Sequence, residues 1–204
     1  MSSFPKFCAG IFLIAFVSAC GSNSSLGAQP VLTGQIDGWM RGSGFTLQAS
    51  LITMSASAPP LATAAIDAAG NFSIALPGPS ALASYLTPQH FDVNQPTPGC
   101  TGTDLQVSPQ DFATVVLSLK ATSGTLQLPV SQKVAPSTSI VYVYVDHDLN
   151  ETGRLDCTFG TLKIQETIDI HFGLGWNAEV NVTQGSSTNA TSSPIPSGAK
   201  WVTP

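Results

Sequence analysis

From Val31 onward, apolar and polar residues alternate with a period of two. Phe45, Leu47, Ala49 and Leu51 alternate with Thr46, Gln48 and Ser50, and Phe72, Ile74 and Leu76 with Asn71, Ser73 and Ala75. Ala113, Val115, Leu117 and Leu119 share one side, with Thr114 and Ser118 opposite. The longest run sets Leu162, Ile164, Ile168, Ile170 and Phe172 against Lys163, Gln165, Thr167, Asp169 and His171, with Glu166 breaking the apolar side. Successive side chains of a strand point to opposite faces, so this alternation marks strands with one buried and one wet face. Residues 140–145 are apolar, β-branched or aromatic on both sides, which predicts a central strand. Glu166 on such a face predicts either a buried carboxylate or a bulge or sheet edge. Clusters of Gly, Pro, Asn and Asp separate the runs, and the only helical candidate is 80–86. Many short strands at modest spacing predict an all-β domain, an antiparallel β-sandwich or open barrel. Phe72, Ile74, Val115, Leu117, Ile168 and Ile170 are expected in its core.

The first residues follow a different pattern. Lys6 precedes the apolar run 7–17, which is far short of the roughly 20 residues that span a bilayer. A charged start, a short apolar stretch and small residues at its end make up a secretory signal peptide. Val17-Ser18-Ala19-Cys20, followed by Gly21, resembles the lipobox of bacterial lipoproteins. The resemblance implies cleavage before Cys20 and acylation of both its thiol and the new amino terminus. Two or more acyl chains give stable anchoring where one is marginal. An ordinary cleaved signal with an incidental cysteine is the alternative. The expected organisation is a signal peptide at 1–19, a lipidated tether at 20–30 and a β-sandwich at 31–183. A loose Ser/Thr/Pro-rich tail at 184–204 follows, returning at 200–203 as an edge strand. The compartment implied is the bacterial cell envelope. Gly21, in place of the Asp that retains some lipoproteins in the inner membrane, points to the outer membrane or cell surface.

Composition narrows the function. Without Lys6 the chain has six basic residues (7 − 1) against twelve acidic ones, a net of −6, and only 9% of the full sequence is charged. So few cations leave no electrostatic footprint for nucleic acid or for anionic lipid headgroups. With 43% hydrophobic residues the chain is not a disordered tail. Once Cys8 leaves with the signal and Cys20 is lipidated, Cys100 and Cys157 remain. Two such cysteines in an oxidising compartment are expected to pair. A two-cysteine metal site is the alternative, without C-x-x-C spacing to support it.

Thr63-Ala-Ala-Ile-Asp-Ala-Ala-Gly-Asn-Phe-Ser-Ile-Ala-Leu-Pro77 resembles a hairpin of prealbumin-like and carboxypeptidase-regulatory-like β-sandwiches. The resemblance covers 31–77. It implies that Asp67 and Gly70 shape the turn, that Phe72 plugs the core and that 33–37 forms the first strand. Val143-Tyr-Val-Asp-His-Asp148 and Gly173-Leu-Gly-Trp-Asn-Ala178 are similar to segments of uncharacterised envelope lipoproteins of the Deinococcus type.

Familiar catalytic machinery is absent from the sequence, which has no G-x-S-x-G, H-E-x-x-H, phosphate loop or C-x-x-C. An enzyme is therefore not expected; it would need His, Asp and Glu residues to converge in one pocket. His171 and Asp169 are expected as a surface pair. Trp39, Trp176, Trp201, Tyr142 and Tyr144 are either core plugs or a sugar-stacking platform. The one ligand candidate is calcium. Asp146, Asp148 and Asn150 stand at alternate positions with Asp156 behind them, and calcium requires six to eight oxygen ligands. A plain hairpin turning at 150–153 is the alternative reading of that segment. The expected role is a non-catalytic envelope module, attached to the membrane by its lipid, that contacts protein or glycan through its outer sheet face or loops. A structural spacer is the second possibility.

Overall fold

The computed structural model describes residues 30–52, 59–94 and 99–204. The expected signal peptide, Cys20 and the tether up to residue 29 lie outside them. The described chain is all β. Its strands are β1 (Val31–Gln35), β2 (Phe45–Leu51), β3 (Ala62–Ile66), β4 (Asn71–Ala75), β5 (Gln89–His90), β6 (Cys100–Ser108), β7 (Asp111–Phe112) and β8 (Thr114–Ser123). They continue as β9 (Leu126–Ala135), β10 (Thr138–Val145), β11 (Leu149–Phe159), β12 (Leu162–Phe172), β13 (Gly175–Gln184), β14 (Ser187–Thr191) and β15 (Lys200–Val202). A single turn of helix, α1 (Pro79–Leu82), overlaps the start of the segment 80–86 where one was expected.

One large sheet runs β3-β2-β8-β9-β10-β13-β14-β12-β11-β6, with β15 on β9; β1-β4 and β5-β7 form two small sheets. Only β12 and β14 pair in parallel among these strands. Two apolar cores cover opposite faces of the large sheet. On one side Leu117, Leu119, Tyr142 and Trp201 pack with Phe72, Ile74 and Leu76 of the β1-β4 layer. On the other, Val143 and Val145 pack with Leu149, Ile168, Ile170 and Phe172. Strand β10 is therefore apolar on both faces because alternate side chains enter different cores. All six residues expected in the core are buried.

The turn between β3 and β4 is built by Asp67. Its Oδ1 accepts the N–H groups of Ala69 at 2.9 Å and Asn71 at 2.8 Å, and its Oδ2 accepts Asn71 Nδ2 at 2.8 Å. Gly70 follows at φ 87°, in the left-handed region that glycine enters without steric cost. The two strands do not ladder with each other: β3 pairs with β2 and β4 with β1. The segment turns a corner between two layers, with Phe72 buried beneath it.

Two expectations are corrected. Within the stretch 184–204, expected as a loose tail, Ser187–Thr191 is instead β14 inside the sheet, antiparallel to β13 and parallel to β12. Strands β12 and β13 follow one another but stand one strand apart. Their facing N–H and C=O groups would lack partners without β14. Ala190 of β14 is buried, and β15 then returns to pair with β9. Glu166, for its part, occupies no bulge or edge. It lies within regular pairing, opposite Leu155 on β11 and Thr188 on β14.

Cys100 and Cys157 form a disulfide with Cα atoms 3.9 Å apart. They stand directly opposite in the β6–β11 ladder, so the bridge pins edge strand β6 to its neighbour.

Candidate functional site

The residues expected to cradle calcium are drawn apart. Asp146 and Asp148 lie in the connection between β10 and β11, and each caps a different backbone. Ala113 N–H donates to Asp146 Oδ1 at 2.7 Å, and Leu174 N–H to Asp148 Oδ1 at 2.8 Å. Asn150 and Asp156 are six positions apart on extended β11, roughly 20 Å at the strand rise. Extension overturns the hairpin turning at 150–153, which is strand, and keeps Asn150 and Asp156 from closing one cage; the chain bends at 146–147 instead. No three His, Cys, Asp or Glu residues are placed to hold a metal ion among the described residues.

The histidines make local pairs: His90 with Asp111 at 2.8 Å, His147 with Asp146 at 2.9 Å and His171 with Asp169 at 3.1 Å. The last is the surface pair expected from the alternation. The five aromatic candidates are spent on packing. Tyr142 stacks on Trp201 at 6.0 Å, Tyr144 meets Trp176 edge-on and Trp39 meets Phe45 edge-on. Trp176 Nε1 also donates to the Pro77 carbonyl at 2.8 Å. Burial pushes the Tyr142 hydroxyl up to about 12, and it donates to Gln132 Oε1 at 2.7 Å.

What the strand pairings do assemble is a wide polar face. On the side of β6, β11, β12 and β14 away from the core, register aligns four rows. Ser108, Asn150 and His171 begin the first, and His171 N–H donates to Ser192 Oγ at 2.9 Å to complete it. Gln106, Thr152, Asp169 and Thr191 form the second, and Thr103, Arg154, Thr167 and Asn189 the third. Thr101, Asp156, Gln165 and Ser187 form the fourth. Every side chain is a hydrogen-bonding one, and none is buried. Arg154 donates to Asp156 Oδ1 at 2.8 Å, and Gln165 Nε2 donates to the same oxygen at 3.1 Å. These bonds, Arg154 first, hold the Asp156 carboxyl below its ordinary range. At this end of the face a cleft of about 340 Å3 opens between the β11–β12 hairpin and the β13–β14 turn. The alternation showed one strand of this face; its width follows from which strands pair.

The opposite side of the sheet, on β11, β12 and β13, carries carboxylates that the sequence only partly signalled. Glu166 had been singled out, but Glu151 and Glu179 had not. By register all three face the second core: Glu151 stands opposite Ile170, Glu166 opposite Thr188 beside Ala190, and Glu179 opposite Val141. Burial pushes the Glu151 carboxyl up to about 7, and the charges of Glu166 and Glu179 add to the effect. Burial raises Glu166 too, helped by Glu179. Asn181 Nδ2 donates to Glu179 Oε1 at 2.7 Å. None of the ion pairs among the described residues includes a glutamate.

No family model, curated protein or solved structure matches this chain.

Proposed function

We propose that the protein is a lipid-anchored module of the bacterial cell envelope that binds a partner, protein or glycan, without catalysing a reaction. The observation that supports binding is the outer face of β6, β11, β12 and β14, a broad exposed array of hydrogen-bonding side chains on a rigid sheet. The disulfide suits an oxidising compartment, as an exported protein requires. The lipobox-like Val17-Ser18-Ala19-Cys20 supplies the anchor.

Two measurements test this reading. Intact-mass analysis of the membrane fraction is expected to show acylated Cys20, and Cys20→Ala is expected to leave the membrane fraction. A variant that partitions as the wild type does removes the anchor. Cross-linking in intact cells is expected to capture a partner on this face. Adducts formed equally by a chain carrying Thr152→Ala, Arg154→Ala and Thr167→Ala place binding elsewhere.

A further inference from the structure

We infer that the polar outer face of β6, β11, β12 and β14 is a binding surface for a neutral glycan. This inference rests on the binding-module reading and assigns the partner's chemistry.

Three features of the face select that chemistry. Its sixteen positions include no aliphatic side chain and no Phe, Tyr or Trp. Protein–protein interfaces centre on apolar and aromatic groups and exclude charge from that centre, so this face offers a protein partner little. Within the four rows the one permanent cation is paired, Arg154 with Asp156 at 2.8 Å, and a second carboxylate, Asp169, stands 3.1 Å from His171; Lys163 lies just outside them, at the cleft. A phosphate or an anionic lipid would have to displace Asp156 to reach Arg154, and would meet the Asp169 carboxylate on the same face. The complementary partner is therefore an uncharged one that both donates and accepts hydrogen bonds at close spacing. A polyhydroxylated chain meets that description. Within a row, side chains on adjacent strands are about 4.8 Å apart, so neighbours can grip hydroxyls on the same sugar ring.

The cleft at the end of the face gives such a chain a seat. Asp156, Lys163, Gln165, Ser186 and Ser187 line it. Arg154 and Gln165 both donate to Asp156 Oδ1, which leaves Oδ2 as an acceptor without a protein donor among the described residues. The Lys163 ammonium and the two serine hydroxyls supply donors beside it.

Co-sedimentation of the detergent-solubilised full chain with insoluble chitin, cellulose and starch tests the inference. Retention on at least one, unaffected by high salt and reversed by the matching soluble oligosaccharide, is expected. A chain carrying Asp156→Ala, Gln165→Ala and Thr167→Ala loses several exposed hydrogen-bonding groups. Its retention should fall by about tenfold or more, while it still unfolds cooperatively with the circular dichroism of the wild type. Absence of retention on all three, retention abolished by salt, or equal retention of the folded variant overturns the glycan assignment. The anchor and the cross-linking result are read independently, so capture of a protein partner would leave the module reading standing and remove only the glycan.

Discussion

The indole of Trp201 lies against the backbone of Gly34: a methyl group on that glycine would overlap the ring's Cδ1 and Nε1. The contact joins β1 to β15, and Asp37 N–H donates to the Trp201 carbonyl at 2.7 Å just beyond it. Gly34→Ala is expected to cost about 1–3 kcal/mol by overpacking, and Trp201→Ala about 3–5 kcal/mol by opening a cavity. Because the two share one contact, the double variant should be less destabilised than the sum of the singles. Thermal unfolding of the four proteins measures this, and strict additivity would show that Gly34 is not sized for the indole.

The bridge between Cys100 and Cys157 closes a separation of 57 residues. In the chain-entropy treatment such a loop stabilises the fold by about 4 kcal/mol. Alkylation under denaturing, non-reducing conditions should find neither thiol free. Reduction, or Cys100→Ser with Cys157→Ser, should lower the denaturant midpoint, and amide exchange should accelerate first along β6. A midpoint unchanged by reduction would leave the bridge without a stabilising role.

Stability should depend on pH through Glu151. Its folded carboxyl is raised from 4.5 to about 7, so between these values the folded protein holds a proton that the unfolded chain has lost. The contribution is therefore complete below about pH 4.5, declines as pH rises through the window and is gone above about 7. At 1.36 kcal/mol per unit it is on the order of 3 kcal/mol at most. Glu166, raised for the same reasons, acts in the same direction. Asp67 and Asp156 are lowered, the first chiefly by the Asn71 side chain and the second by Arg154. They stabilise above the ordinary carboxylate range, and that contribution is lost as pH falls through it. Melting temperature should thus peak in mildly acidic solution and decline toward neutrality. Glu151→Gln should flatten the decline; an unaltered slope would move the effect to another group.

Calcium should leave the fold indifferent. Asn150 and Asp156 are held apart by extended β11, while Asp146 and Asp148 are occupied by backbone N–H groups. Millimolar calcium added to chelator-stripped protein is expected to leave the melting temperature unchanged. A saturable rise lost in Asp146→Ala/Asp148→Ala would contradict the geometry.

What this chain's sequence determined by itself is local. Alternation along 45–51, 71–76 and 162–172 marked strands and their buried faces, because the side-chain period of an extended backbone needs no knowledge of its neighbours. Asp67 and Gly70 marked their turn for the same reason: a carboxylate reaching nearby N–H groups and a residue tolerant of positive φ act over four positions. The tertiary structure decided everything that depends on which strands meet. Ser187–Thr191 has the composition of a tail, yet it becomes an interior strand because β12 and β13 leave unpaired ladders between them. Pairing of β6 with β11 sets Cys100 on Cys157 and aligns the polar rows, while β11, β12 and β13 bring Glu151, Glu166 and Glu179 into one core. Backbone hydrogen bonding is alike for every residue, so a strand's own sequence marks its faces but not its partner. The partner is chosen only when the whole sheet satisfies its edges and buries both cores at once.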